Sequence, residues 1–273
     1  MVAAELQAAI ERDDVESLPA GVDVIRALEE EVIDLYGEQE RPDEAMRRIR
    51  DAPPEWQCRL AGALLTYAAL DARWELVHEL LPLAGRNIDQ LDGHGRTALM
   101  YAAWNGNLEL VKRLIALGAG LRRVDSADQD SVLEWALLGH HAEIIAWLED
   151  RLRETAAAVD AADDARMAAL EGEARAVETT RLALEAGSEG RWDRVEDLVS
   201  RGVDVNARGR RGRTLLMYAA RQGDRRRVEW LVQRGGDLDA KAPGYQTVDV
   251  CARDASEEMA GFIETLRSQK GNA

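Results

Sequence analysis

Two stretches of this chain, residues 92–124 and 209–241, align without a gap over 33 positions. They share Gly95/Gly212, Arg96/Arg213, Thr97/Thr214, Leu99/Leu216 and the run Met-Tyr-Ala-Ala at 100–103 and 217–220. The identities continue through Gly106/Gly223, Val111/Val228, Leu114/Leu231, Gly118/Gly235 and Leu121/Leu238. A unit of this length cannot bury its apolar face alone and must stack on copies of itself. The repeat therefore confines the chain to a solenoid.

Each shared position has a physical role. Thr97 and Thr214 stand where a hydroxyl can accept from the free N–H groups at a helix start. Leu99 with Ala102 and Ala103 makes a short helix whose small face lets a neighbour come close. Gly106 and Gly223 fit a helix stop, where φ is often positive. A second helix follows, with Leu110, Val111, Leu114 and Ile115 at helical spacing. Gly118 and Gly235 end it, and a polar turn leads to the next copy.

A helix pair with this signature resembles the ankyrin repeat. The family's Thr-Pro-Leu-His-x-Ala motif stands here as Thr97-Ala98-Leu99-Met100-Tyr101-Ala102 and Thr214-Leu215-Leu216-Met217-Tyr218-Ala219. Both copies lack the Pro. Both also replace the His, which ties adjacent repeats by hydrogen bonds in the family, with Met, whose thioether fills space but cannot supply that tie. Weaker copies flank the strong ones at 65–81, 131–148, 182–195 and 247–266, and Arg191-Trp192 echoes Arg73-Trp74 at an offset of 118. We therefore expect an all-α ankyrin-repeat solenoid built as a duplicated block. A first block of about three repeats spans 56–150 and a second of about three spans 178–268.

The remaining segments read as helices of other kinds. Residues 151–177, rich in Ala, Asp, Glu and Arg, are expected as a helical spacer. Leu148, Leu152 and Val159 keep helical spacing, which predicts an elongated outer helix ending near Val159 and a second helix over 163–186. The first 55 residues carry three amphipathic stretches, 5–17, 24–36 and 42–50, closed by Pro53-Pro54. They form an N-terminal helical cap. Residues 1–45 hold 14 acidic and three basic side chains, a local net of −11.

Charge and composition narrow the function. The net charge of −16 repels polyanions and disfavours nucleic acid or an anionic membrane as a partner. Two distant cysteines signal neither a disulfide framework nor a Cys-based metal site. No leader pattern or membrane-spanning run is legible, so a cytoplasmic monomer is expected. The four histidines lack partners at ligand spacing. No Gly-rich phosphate loop follows a strand, and no nucleophile stands beside a base. No cofactor and no catalysis are expected.

What folding leaves unexplained is a set of variable positions. Resemblance to ankyrin repeats places Trp104 and Asn105, and in the second copy Arg221 and Gln222, facing a concave groove. Hairpin residues His94, Arg96, Arg210, Arg211 and Arg213 line the same side. Trp and Arg dominate interface energetics. The expected recognition face is therefore His94, Arg96, Trp104, Asn105, Arg210, Arg211, Arg213 and Arg221, binding a partner protein. An inhibitor or immunity protein for a basic toxic enzyme suits the size and acidity. The competing reading is a nucleic-acid module using the arginines between Arg208 and Arg227. Arg225, Arg226 and Arg227 open an outer helix, where cations oppose the macrodipole and call for either a neighbouring acid or an acidic ligand.

Overall fold

Proline opens two of the early helices. In the computed structural model, which describes residues 24–37, 39–126, 130–209, 211–243 and 246–271, Pro42 and Pro54 begin α2 (Pro42–Asp51) and α3 (Pro54–Leu70). A ring with φ already near helical values, and no N–H to satisfy, is pre-organised for that position. Ahead of them lies α1 (Val24–Tyr36), with the bounds expected. The expected stretch 5–17 lies outside the described residues.

The chain divides into two compact units. One runs to Tyr101 and includes Arg113–Ala119, and the other comprises Ala102–Lys112 and everything from Gly120 onward. In the first, α1 to α3 pack through Leu28, Val32, Met46, Ile49, Leu60 and Leu64. The Tyr36 hydroxyl donates to Asp71 Oδ2 at 2.7 Å, and Arg59 grips Glu29 through two nitrogens at 2.6 and 3.0 Å. Then come α4 (Trp74–Ala84) and a 3-10 turn, Gly85–Asn87. The Thr66 hydroxyl reaches the Gln90 carbonyl at 2.9 Å and secures the turn beneath α3.

The division passes through α5 (Ala98–Trp104) and α6 (Leu108–Ala116). Beyond them the second unit carries α7 (Val132–Leu138), α8 (Ala142–Ala168), α9 (Gly172–Ser188), α10 (Trp192–Ser200), α11 (Leu215–Arg221), α12 (Arg225–Gln233), α13 (Val248–Ala255) and α14 (Glu257–Gly271). Sheet among the described residues is limited to β1 (Lys241–Ala242) against β2 (Gln246–Thr247), antiparallel, and one bridge between Val124 and Ser131. The fold is the all-α helix-pair solenoid expected.

Backbone conformation marks the repeat register. Positive φ recurs at the turn from inner to outer helix, at Ala72, Gly106, His140, Gly190 and Gly223. Successive spacings are 34, 34, 50 and 33 residues. The long interval holds the spacer. At Gly106 the requirement is double: φ is +81°, and a Cβ would stand 2.5 Å from the His141 ring. Cap hydroxyls vary. Those of Thr97, Ser131 and Thr247 accept from the backbone N–H three residues on, whereas the buried Thr214 oxygen has no partner among the described residues.

The spacer departs from expectation. Helix α8 runs unbroken past Val159 to Ala168, because the Ala and Asp residues at 160–165 offer no stop and Met167 still reaches buried packing. The break comes at 169–171, and α9 begins at Gly172 instead of near 163. Charged contacts hold the end of α8. Asp160 pairs with Arg191, Asp164 receives Arg194 at 2.8 Å and Arg201 at 3.1 Å, and Arg166 bridges Asp163 and Glu178.

The repeat that contains α9 has no hairpin turn of its own, since α9 follows α8 after three residues. Its inner helix nevertheless joins both blocks. The Ser131 hydroxyl donates to the Ser188 carbonyl at 3.0 Å, and Gln222 donates to the Gly187 carbonyl at 2.8 Å. The second unit is thus one continuous stack from α7 to α14. Its core gathers Trp192, Val195, Leu215, Leu216, Val228, Leu231, Val248, Met259 and Ile263.

Candidate functional site

Where one hairpin is missing, its neighbours meet. Arg211 Nη2 donates to the Ser126 carbonyl at 3.2 Å. Deeper in, Arg213 pairs with Asp130, and Arg221 Nη1 lies 3.1 Å from Glu134 and 3.5 Å from Asp130. Arg221 also approaches Asp254 at 3.6 Å, and Arg213 Nε donates to Gln246 Oε1 at 2.6 Å. Asp130 is 3% exposed, Glu134 0%, Arg213 2% and Arg221 5%. Two acids and two bases thus neutralise one another inside the stack, joining the start of α7 to both ends of α11.

This corrects one expectation. Arg213 and Arg221 do not face a partner across an open groove. They are internal charges, because a buried guanidinium is tolerated only beside carboxylates and Asp130 and Glu134 provide them. Burial pushes the Glu134 carboxyl up to about 7, against the pull of Arg221. Its Oε1, like Arg221 Nε, finds no hydrogen-bond partner among the described residues. Burial works against the Arg213 charge, but the bond to Asp130 and the negative charges of Asp130 and Glu134 together outweigh it and raise its pKa.

Trp104 is the opposite case. It ends α5 with 40% of its surface exposed, edge-on to Trp135 with ring centroids 6.2 Å apart. Trp135 is itself anchored, donating Nε1–H to Asp125 Oδ2 at 3.0 Å. His141 Nε2 lies 2.9 Å from the Trp104 carbonyl and ties this helix end to the next repeat. The indole is therefore both presented and braced. Asn105, beside it, is half-buried.

In the first unit His94 is exposed at a hairpin turn in which Asp92 Oδ1 accepts from the backbone N–H groups of His94 and Arg96. Arg96 is half-buried, its Nη1 3.4 Å from the Tyr101 hydroxyl, which donates to Asp92 Oδ2 at 2.6 Å. Arg211 is exposed, and Arg210 lies outside the described residues.

Two of the three arginines that open α12 meet neighbouring acids. Arg227 pairs with Glu196 and lies 3.4 Å from Asp193, and its N–H is capped by Asp224 at 3.0 Å. Arg225 meets Glu258 at 3.3 Å and covers the Phe262 ring.

Among the described residues no group of three or more His, Cys, Asp or Glu is placed to hold a metal ion. Burial raises the Cys251 thiol to about 11, which keeps it protonated. A cleft beside α9 is lined by Met167, Thr179, Thr180, Arg201 and Val203. Its threonine hydroxyls donate to helix carbonyls, and Arg201 is held by Asp164 and Asp197. No described helix is long and apolar enough to cross a membrane.

Comparison with known proteins agrees with the register. Residues 65–156 match the family described as Ankyrin repeats (3 copies), and residues 180–232 match Ankyrin repeats (many copies). Similar proteins include the Notch-regulated ankyrin repeat-containing protein B of Danio rerio, 36% identical over 73 residues, 27% of this chain and 65% of that one. The Notch-regulated ankyrin repeat-containing protein of Homo sapiens is 39% identical over 62 residues, 23% of this chain and 54% of its own. The chain thus spans between about half and two thirds of the length of the curated relatives it matches. With the two family matches together covering more than half of its residues, the helix pairs, their turn register and their stacking are those of an ankyrin-repeat protein, the family to which this chain belongs.

Proposed function

We propose that this chain is a non-catalytic scaffold that binds one partner protein. Ankyrin repeats are protein–protein interaction modules. Stacked repeats present many side chains from a frame already ordered, which lowers the entropic cost of binding. Trp104 with Asn105 and Arg211 serve recognition in the second unit, and His94 and Arg96 in the first. An adaptor or an inhibitor of a single protein, the immunity type included, is the specific role we favour.

One observation carries the reading: Trp104 stays exposed although Trp135 braces it. A large apolar ring that folding does not bury is a typical anchor for a partner. The test is comparative capture from native lysate by wild type and Trp104→Ala, followed by titration of the isolated partner. Trp104→Ala should weaken binding by about 2 kcal/mol or more, with little change in melting temperature. Equal affinity in both proteins would sink the assignment.

A further inference from the structure

Several basic residues inside or beside helices of the second unit are neutralised by carboxylates: Arg213 and Arg221 by Asp130 and Glu134, Arg227 by Glu196, Arg267 by Asp239 and Asp249. The cations of the 208–212 hairpin and the adjoining Lys241 are not. Arg208 bonds only to backbone carbonyls, Gly212 at 3.3 Å and Lys241 at 2.5 Å. Arg211 bonds only to the Ser126 carbonyl, and Lys241 is exposed. Among the described residues no carboxylate pairs with any of these three. Their distinction is that they lie together: Arg208 reaches the Lys241 backbone and Arg211 stands in the same hairpin, so three exposed cations share one place and suit an acidic ligand.

We propose that Arg208, Arg211 and Lys241 form a docking strip for an acidic segment of a partner protein. The strip rests on the reading of the chain as a protein-binding scaffold and names the charge of what it grips. Arg208 spends Nη1 on its two carbonyl bonds, which hold the guanidinium still and leave its Nε–Nη2 edge unbonded. That edge matches a carboxylate in bidentate geometry. Arg211 spends Nη2 and keeps Nε and Nη1. The two guanidinium groups are therefore positioned before a ligand arrives, and little of their side-chain freedom is lost on binding. Nucleic acid fits less well, because a long polyanion also meets the repulsion of the whole −16 molecule. A short acidic segment meets mainly the local field.

The full chain is titrated by fluorescence anisotropy with a labelled decapeptide of alternating Glu and Ala, at low and physiological salt. A ten-nucleotide oligothymidylate is the second probe. Wild type should bind the peptide at low salt and weaken as salt rises. The triple variant Arg208→Glu, Arg211→Glu, Lys241→Glu should lose about tenfold or more in affinity. The triple Gln variant, which retains polar side chains at the tips, should lose an intermediate amount and melt like wild type. Reversing Arg47, Arg86 and Arg153 instead changes net charge equally and should alter peptide affinity far less. Three results would overturn the strip: no peptide binding to wild type, equal losses in the tip and control reversals, or tighter binding of the oligothymidylate. The scaffold reading is tested separately, by titrating the isolated partner with wild type and Trp104→Ala, so failure of the peptide titration is distinct from failure of that reading.

Discussion

Glu134 stands between Leu133 and Trp135 on an inner helix, fully buried, with one carboxylate oxygen unbonded. Its proton is bound more tightly in the folded protein than in the unfolded chain, where the carboxyl titrates near 4.5. By linkage, the stability it contributes is complete below that pH and is lost as pH rises through about 7. Groups facing it are Asp130, Arg213, Arg221, Tyr218 and Cys251. Of these, Tyr218 and Cys251 have their pKa values raised by burial and stay neutral throughout that window. Glu134→Gln should therefore flatten the fall in melting temperature between about pH 4.5 and pH 7. An unchanged slope in thermal melts would show that the carboxyl is ionised throughout.

At the scale of elements, the ion cluster joins α7 to α11 across a repeat that has no tip. Removing one member of a buried pair costs more than removing both, because the survivor stays charged without solvent. Asp130→Ala should thus lose about 3 kcal/mol or more in urea unfolding, and adding Arg213→Met should recover much of it. If the single variant is as stable as wild type, the cluster does not bind these helices together. The cluster also shows what a sequence conceals. The inner-to-outer turns were legible, since Gly106 and Gly223 announce positive φ by residue type. The bounds of α1 were legible from periodicity. The fate of Arg213 and Arg221 was not, because burial of a guanidinium depends on acids more than 80 residues earlier in the chain. One signal was present: Glu134 sits inside an apolar run where an acid needs a base. The length of α8 was hidden for a simpler reason. Ala and Asp at 160–165 permit a helix without requiring one, and the pairing of Asp160 and Asp164 with Arg191 and Arg194 decides it. At the site, Trp104 could be picked out as variable between the copies, but its brace on Trp135 appears only in three dimensions.

For the molecule as a whole, stability in a repeat stack is a sum over neighbours, so position along the stack sets local stability. In the second unit α11 is covered from both sides by α9 and α13, while α14, among the described residues, packs mainly on α13. Amide hydrogen exchange should be slowest in α11 and faster in α14. Equal protection along the unit would mean that it unfolds as one block.

The missing tip has a consequence for anyone mapping a partner's footprint. Ser126 and Arg211 touch although 85 residues separate them. A ligand lying along the tips would step from one to the other at once. Tiled peptides or nested truncations would report two unrelated fragments, each too weak to register alone. The footprint would look like two epitopes in the chain's order and one in space. Cross-linking, which follows proximity, is the method suited to reading it.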